Sequence, residues 1–493
     1  MPNDHVEDGL FQMDRVELPE GISAAVKLPV DKTFRPYNPD QVLLLPPSLD
    51  DWLPAEHLAR FVAELVDEHL DLSWIRAAYT EGRGAPPFDP RLMVRLLIYG
   101  YTTGVRSSRA IEKRCVEDVP FRWLACGAAP DYRSIARFRK RHLSALAQLF
   151  LQALRLCQAA GMVSLGRVAL DGTKLRANAS RRKAMSYARL TEKEKVLAQE
   201  VSALMAEAAR IDDAEDAQFG TDRRGDELPA ELARRETRLV KLREAKQALE
   251  AQAREAAAEH AADLARRKGA EPDVVAEQAA QAAAAAVPKP KAQRNFTDPD
   301  SKIMLMGDGS FAQCYNAQAV VDADHQVIVA ADLNDCASDV VSLHPMTEQV
   351  VSNTGQHPDQ LLADAGYCSA ANLDKAVEVS ELTGTEFLIA TGRRKHDEPA
   401  PTPPRGRIPK AATAKQRMAR KLTTKPGRAA YARRKAIVEP VFGQMSTLQN
   451  AKQLLLRGHQ AAREEWLLLA ACHDFRKLHG KIGVSGLGTL ATA

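Results

Sequence analysis

The sequence predicts a mixed α+β or α/β protein, in which a sheet with flanking helices is joined to an all-α N-terminal domain. Three observations support this class. Apolar residues recur at helical spacing through residues 46–160. Short apolar runs typical of strands appear at residues 163–180 and return in residues 295–480. A long helical repeat at residues 181–294 separates the two groups of strands.

The N-terminal domain contains four patterns that mark helix starts. They are Asp50-Asp51 with Pro54, Asp89-Pro90, Ser107-Ser108 and Pro130-Asp131. After the last of these, basic residues interleave with two aromatic residues over 132–142. This segment is either an amphipathic helix with a charged outer face or a helix that presents its basic face to DNA. Its place in a compact helical unit favours DNA, with contacts from Arg133, Arg137, Arg139, Lys140 and Arg141.

The sheet begins with a strand in residues 163–180. A β-hairpin follows at 319–329, where two valine-rich runs flank a polar turn. A helix at 340–352 and further strands before Asp364 and at 386–390 complete the pattern. A hairpin followed by alternating strands and helices indicates a mixed sheet.

The helical segment 181–294 interrupts this sheet. Leu197, Val201 and Leu204 begin a seam of apolar residues at spacings of four and three, and a second seam follows after residue 231. Such seams predict a coiled coil, and the turn-like residues 220–226 between them predict an antiparallel hairpin. The insertion is either a structural spacer or an arm for dimerisation or DNA clamping.

Composition excludes several classes of protein. The chain has 493 residues, 45% of them hydrophobic, and a formal net charge of +4, which fits two or three globular domains. It contains seven scattered cysteines without a CxxC pair, no apolar run of about 20 residues and no signal-peptide pattern. We therefore expect a cytoplasmic protein with an irregular tail at 1–45 and a flexible tail at 481–493.

Positive charge is concentrated late in the chain. Residues 393–435 contain fifteen Lys or Arg against two acidic residues, and 393–430 form a basic, proline-rich linker. Such a run is either a solvated face or a surface that follows a phosphate backbone. Its position directly before the helical stretch that contains Glu439 favours the second interpretation.

Three carboxylates are the strongest candidates for a reaction site. Asp171 and Asp364 each follow a short apolar run, and Glu439 lies in a helical, basic stretch. Two strand-end aspartates and a helix glutamate suit two hard divalent cations, because Mg²⁺ prefers oxygen ligands and keeps several waters. Two such ions can hold the attacking and the leaving oxygen of a phosphodiester.

The residues around these carboxylates resemble the DDE insertion-sequence transposases. Tyr431, Arg434 and Glu439, followed by Pro-Val-Phe-Gly-Gln, are similar to the Tyr-Arg-Glu-Lys signature of that family. The gap from arginine to glutamate is one residue longer than in the common form, and Ser446 stands where the signature has lysine. Residues 131–142 also resemble the helical N-terminal domain of these transposases.

The resemblance implies an RNase H-like catalytic domain that cuts and joins DNA with two Mg²⁺ or Mn²⁺ ions. Asp171 would bridge the ions, Asp364 and Glu439 would each hold one, and Tyr431 and Arg434 would contact DNA. The implied partners are terminal inverted repeats, target DNA and further copies of the chain. Two alternatives stay open: an inactive or domesticated DNA-binding protein, which Ser446 favours, and an RNase H-like nuclease that cuts without joining.

Overall fold

The structure, a computed structural model, describes residues 48–80, 82, 84, 86–180, 183–219, 230–392, 406–409 and 411–490. Several predicted features lie outside these residues. They are the tail 1–45, the turn 220–226, the first part of the basic linker and the last three residues of the chain.

Helices form the first part of the described chain. The predicted starts at Asp89, Ser107 and Asp131 are N-caps whose side chains accept backbone N–H groups of the first turn. The predicted start at Asp50-Asp51 instead forms a short 3-10 helix. The helices are α1 (Leu58–Glu64), α2 (Ser73–Ala77), α3 (Pro90–Thr102), α4 (Ser108–Glu117), α5 (Val119–Leu124), α6 (Tyr132–Arg141) and α7 (Leu143–Ala159).

A mixed sheet follows, as the sequence predicts. Its strands are β1 (Val168–Arg176), β4 (Lys302–Leu305), β5 (Phe311–Asp322), β6 (Ile328–Asn334), β7 (Gln360–Ala363) and β8 (Glu386–Ile389). β5 runs antiparallel to β1 and carries β4 and β6 on its other edge. β7 and β8 run parallel to β1. A separate two-stranded pair consists of β2 (Ala184–Ser186) and β3 (Gln293–Asn295).

The insertion consists of α8 (Tyr187–Phe219), α9 (Ala230–Arg267) and α10 (Pro272–Ala285). Ion pairs give the direction of the first two helices. Glu194 contacts Arg243 and Lys246 at 3.2 and 2.8 Å, whereas Glu200, further along α8, contacts the earlier Arg235 at 3.4 Å. α8 and α9 are therefore antiparallel over these residues, and α10 is a third helix of the insertion.

The remaining helices cover the sheet. They are α11 (Leu343–Thr354), α12 (Ala370–Thr383), α13 (Ala414–Thr423), α14 (Lys425–Ala432), α15 (Arg434–Thr447) and α16 (His459–Ile482). α11 packs on β5 and β6, and α15 packs on β1 and β5.

Helix α16 joins the N-terminal helices to the sheet, because it packs against β6 as well as against α3 and α7. The Arg106 guanidinium contacts the fully buried Glu465 carboxylate of α16 at 3.1 Å. The buried apolar residues of the N-terminal helices and the sheet form one continuous core. Within the part of the chain that the structure describes, no helix is long and apolar enough to cross a membrane.

Candidate active site

Asp171 and Asp364 lie beside each other on neighbouring parallel strands. In the register of β1 and β7, Leu170 is opposite Ala363, so the next residue on each strand is an aspartate. β1 continues through Asp171, whereas β7 ends and Asp364 caps the 3-10 helix Ala365–Tyr367. The parallel pairing therefore brings together two carboxylates that are distant in sequence.

Arg434 compensates the charge of Asp171. Its Nη1 donates to Asp171 Oδ2 at 2.9 Å, and the backbone N–H of Gly172 donates to Oδ1 at 2.9 Å. Burial raises the pKa of Asp171, and the nearby Asp364 adds to the rise, while Arg434 opposes it. Arg434 is the first residue of α15 and is itself only 8% exposed.

Asp364 has a different environment. Its Oδ1 accepts the backbone N–H of Gly366 at 2.7 Å. Among the residues that the structure describes, no basic side chain forms an ion pair with it. The following Tyr367 is buried, and its hydroxyl donates to Gln318 Oε1. Asp364 is thus held by a backbone N–H group, and its link to Arg434 is electrostatic and not a direct ion pair.

A third carboxylate, Asp339, lies near these strands, and the sequence interpretation missed it. Its Oδ1 accepts from Lys174 Nζ at 3.3 Å, Asn316 Nδ2 at 2.7 Å and Gln318 Nε2 at 2.9 Å. Gly366 lies beside both carboxylates. A Cβ added to Gly366 would be 3.1 Å from Asp339 Oδ2 and 2.9 Å from Asp364 Oδ1, so the two carboxylates are close neighbours. The polar run 334–339 directly after an apolar strand was the available signal.

Asp339 approaches β1 from the face opposite Asp171. Its Oδ1 lies 2.7 Å from the position that a Cβ on Gly172 would take, and successive residues of a strand point to opposite faces. Asp171 therefore faces α15, whereas Asp339 lies with Lys174 and the two amide side chains. Asn316 is fully buried in this group.

The structure does not bring Glu439 onto the two aspartates. Glu439 is exposed, five residues after Arg434 on α15, which places it roughly 140° around the helix axis from Arg434. Among the described residues, no hydrogen bond or ion pair joins the Glu439 side chain to Asp171 or Asp364. Within the described residues, no three His, Cys, Asp or Glu side chains form a group that could hold a metal ion.

Asp171 and Asp364 nevertheless fit one hard cation. They are neighbouring carboxylates, and they supply oxygen donors at the point where β7 ends beside β1. Mg²⁺ commonly uses one or two carboxylates and completes its shell with water and substrate phosphate. The donor set of this pair therefore fits a Mg²⁺ or Mn²⁺ ion without a third carboxylate from α15.

The other positions of the family signature, Tyr431 and Ser446, lie on the consecutive helices α14 and α15. Tyr431 of α14 is half-buried, and burial raises its pKa while the nearby Arg434 opposes the rise. Ser446 Oγ donates to the Gly443 carbonyl of its own helix at 3.0 Å. Asn178, which also matched a family motif, donates to the Leu455 carbonyl at 2.5 Å. Tyr431 and Arg434 are thus adjacent to the two aspartates, whereas Ser446 is further along α15.

Helix α6 presents a basic face to solvent. Arg133, Arg137, Lys140 and Arg141 are exposed, and their spacing places them on one side of the helix. Arg139 differs, because it is buried and donates to the Tyr101 hydroxyl and the Arg106 carbonyl at 3.2 and 2.9 Å. We therefore leave Arg139 out of the candidate DNA-contacting face.

Comparison with known proteins gives two matches along the chain. Residues 47–141 match the family described as Transposase domain (DUF772), and residues 405–479 match the family described as Transposase DDE domain. The first covers α1 to α6, and the second contains Tyr431, Arg434 and Glu439. No curated protein and no solved structure gives a significant match.

Proposed function

We propose that this chain is a DDE insertion-sequence transposase, which both matches support, and that it cuts DNA at the ends of its own element and joins those ends to target DNA. The observation that carries the proposal is the pairing of Asp171 and Asp364 on adjacent parallel strands, with Arg434 on Asp171. The mixed sheet, with its hairpin and parallel strands, also supports an RNase H-like catalytic domain.

In this proposal Asp171 and Asp364 hold Mg²⁺ or Mn²⁺ through their carboxylate oxygens. A bound ion supplies activation of a water or 3′-hydroxyl and stabilisation of the leaving 3′-oxygen. Arg434 fixes the orientation of Asp171 and limits the cost of its buried charge. Glu439 remains the proposed ligand of a second ion, because it lies on the helix that reaches Asp171 through Arg434.

The proposed DNA-contacting surface combines the exposed basic face of α6 with Tyr431. Phosphates of the terminal inverted repeats would exchange their counterions for the side chains of Arg133, Arg137, Lys140 and Arg141. Because two element ends must be handled together, we propose that the protein acts as a homo-oligomer on DNA. We also propose that it works in the cytoplasm.

A DNA-binding protein without activity is a second candidate. The exposed position of Glu439, away from Asp171, favours it, as does Ser446 in place of the signature lysine. In that case the basic face of α6 would retain its role, while Asp171 and Arg434 would form only a structural ion pair.

The test uses a labelled duplex that carries the terminal repeats, with Mg²⁺, Mn²⁺ or EDTA. We expect metal-dependent nicking at the repeat boundary by the wild type. Asp171→Asn, Asp364→Asn and Glu439→Gln should abolish nicking and leave duplex binding intact. Asp374→Asn, an exposed aspartate on α12, is the matched control and should cut normally.

Each outcome decides a specific point. Wild-type cleavage by one carboxylate variant removes that residue from the site. Of the three carboxylates, Glu439 is the one whose role this test challenges most. Binding without nicking in either metal supports the inactive DNA-binding protein. Cutting without any strand-transfer product supports a nuclease.

A further inference from the structure

A cavity of about 400 Å³ lies at the opposite end of α15 from Arg434. It opens between α15, the turn that joins β5 to β6, and the last turns of α16. Its lining includes His325, Gln444, His473, Arg476, Lys477 and Lys481. Among the described residues that line it, none is acidic. A cavity whose described lining gathers three cations from one helix and no acidic side chain has the composition of an anion site.

The charge of this cavity is not balanced by the protein. Within the described part of the chain, no hydrogen bond or ion pair holds the Arg476 guanidinium or the Lys481 ammonium. Lys477 donates only to the neutral Gln326 Oε1, at 2.8 Å. Burial lowers the pKa of Arg476 and of Lys477; Arg476 lowers the pKa of Lys477 further, while the buried Asp474 opposes that change. Half-buried cations whose charge is only partly compensated are costly, so an external anion would stabilise them.

Two carboxylates near the end of α16, Asp474 and Glu56, accept backbone N–H groups and do not form an ion pair with the cations of the cavity. Asp474 Oδ1 accepts the backbone N–H of Ile328 at 2.9 Å, and Glu56 Oε2 accepts that of Val484 at 2.7 Å. The C-terminal end of α16 also favours cations, but a helix end carries only about half an elementary charge. That partial charge cannot balance the three cations on this part of the helix.

One residue fixes the walls of the cavity relative to each other. Gln326, in the turn between β5 and β6, donates through Nε2 to the Ala436 carbonyl of α15 at 3.1 Å. That carbonyl lacks its usual helical partner, because Pro440 has no N–H. The Gln326 carbonyl in turn accepts from His473 Nε2 of α16 at 3.0 Å. The turn, α15 and α16 are therefore fastened together, and the cavity is preformed.

His473 helps to hold the walls of the cavity together and is not one of the groups that would contact a bound anion. It is buried in the core beside the turn between β5 and β6. Burial lowers its pKa to about 3. It is therefore neutral at physiological pH and serves to hold Gln326, which leaves Arg476, Lys477 and Lys481 as the charged groups of the cavity.

We propose that this cavity binds a backbone phosphate of DNA at a distance from the reacting phosphodiester. The proposal rests on the proposed function, since it adds a contact for the DNA that the carboxylates would cut. An arginine can bind two phosphate oxygens at once, a lysine supplies a point charge, and the Gln444 amide can donate a further hydrogen bond. These groups match a phosphodiester better than a carboxylate ligand, because they offer donors from several directions.

The position on α15 gives the distance to the site. Gln444 follows Arg434 by ten residues on the same helix, which is about 15 Å along the axis. Since B-DNA advances about 3.4 Å per nucleotide, the phosphate held here would lie roughly four nucleotides from the one at Asp171. The cavity would thus fix the path of the duplex leading away from the cut.

The test measures how duplex affinity depends on salt, by fluorescence anisotropy, for the wild type, Arg476→Ala and Lys481→Ala. In a plot of the logarithm of duplex affinity against the logarithm of salt concentration, the slope of each variant should be smaller in magnitude by about one. The affinity of each variant near physiological salt should be several-fold weaker than that of the wild type. Lys375→Ala, which removes an exposed lysine already paired with Glu348 at 3.1 Å, is the control and should keep the wild-type slope. Arg476→Lys keeps the charge and should retain most of the slope if Arg476→Ala unfolds the protein.

A second readout uses inorganic phosphate alone. Millimolar phosphate should raise the melting temperature of the wild type more than chloride of equal ionic strength, and Arg476→Ala should remove the difference. If phosphate stabilises the wild type but the duplex slopes are unchanged in both variants, the cavity holds a free anion and the DNA assignment is overturned. If neither effect occurs, the anion site itself is overturned.

The two proposals fail in different ways. A wild type that binds no duplex in a salt-dependent manner contradicts the proposed function as a whole. A wild type that binds and cuts, with cavity variants equal to it, contradicts only the cavity. At saturating protein, Arg476→Ala should still nick DNA, whereas Asp171→Asn should bind with an unchanged slope and not nick.

Discussion

Helices α6 and α15 both carry arginines that the sequence predicts to contact DNA, and they hold them in opposite ways. On α6, Arg133 and Arg137 extend into solvent. On α15, Arg434 is buried and its guanidinium contacts Asp171 at 2.9 Å. Arginine is thus an exposed charge on the surface of α6, whereas on α15 it is one partner of a buried ion pair.

The difference teaches which property each helix controls. An exposed guanidinium can exchange counterions for a DNA phosphate at little cost, so we propose that α6 controls the affinity for DNA and its dependence on salt. A buried guanidinium can reach a phosphate only by leaving its carboxylate uncompensated, which is expensive. We therefore expect Arg434 to act mainly through the charge and position of Asp171, and the following predictions test this division.

The largest expected effect is that of Arg434→Ala on cleavage. Removal of the guanidinium should lower the cleavage rate by about 10²–10³-fold, a range typical for loss of one aligned charge-stabilising group. Duplex binding should change little. Because burial and Asp364 already raise the pKa of Asp171, loss of Arg434 raises it further, and the acid limb of the pH–rate profile should move to higher pH.

Stability of the same variant should depend on pH in a defined direction. A carboxyl group whose folded pKa is raised above its unfolded value contributes less stability as pH rises through that pKa. Arg434→Ala should therefore be more destabilising at pH 7 than at pH 4, measured by urea unfolding. Arg434→Lys, which keeps the charge, should be intermediate. A large loss of duplex affinity with unchanged cleavage of bound DNA would reverse the roles assigned to the two helices.

The next effect in size is that of Arg139→Ala on stability. Arg139 is buried on α6 and holds the Tyr101 hydroxyl and the Arg106 carbonyl. Its loss should reduce the free energy of unfolding by about 2 kcal/mol, as expected for buried hydrogen bonds from a charged donor. The midpoint of urea unfolding reports this change. A normal midpoint with weakened DNA binding would return Arg139 to the DNA-contacting face.

The smallest effect is that of Arg137→Ala, two residues earlier on the same helix. Arg137 is exposed, so its loss should change the unfolding free energy by less than about 0.5 kcal/mol. Duplex affinity should fall a few-fold, and the salt slope should decrease by about one. An unchanged slope in Arg137→Ala and Arg133→Ala together would exclude this face of α6 from the DNA interface.

Local features could be predicted because their causes are local. The N-caps at Asp89, Ser107 and Asp131 depend on a side chain and the two or three residues after it. The strands that contain Asp171 and precede Asp364 follow from short apolar runs. The basic face of α6 follows from helical spacing, although the sequence could not separate Arg139 from its exposed neighbours.

Other features depend on which distant segments meet. Asp339 follows a strand as Asp364 does, but only the pairing of β1, β5 and β7 places it close to Gly172 and Gly366. The cavity beside Gln444 arises where α15, α16 and a hairpin turn converge. No pattern within a single segment could indicate either arrangement.

The sequence by itself determined the class of the fold, the two strand-borne aspartates and the resemblance to transposases, since each depends on short-range pattern or motif. Only the tertiary structure decided that Arg434 and not Glu439 faces Asp171. The reason is the rotational setting of α15 on the sheet. Burial of Ile437, Val438 and Val441 fixes that setting, and packing against β1 and β5 selects which polar side chain of the helix reaches the carboxylate.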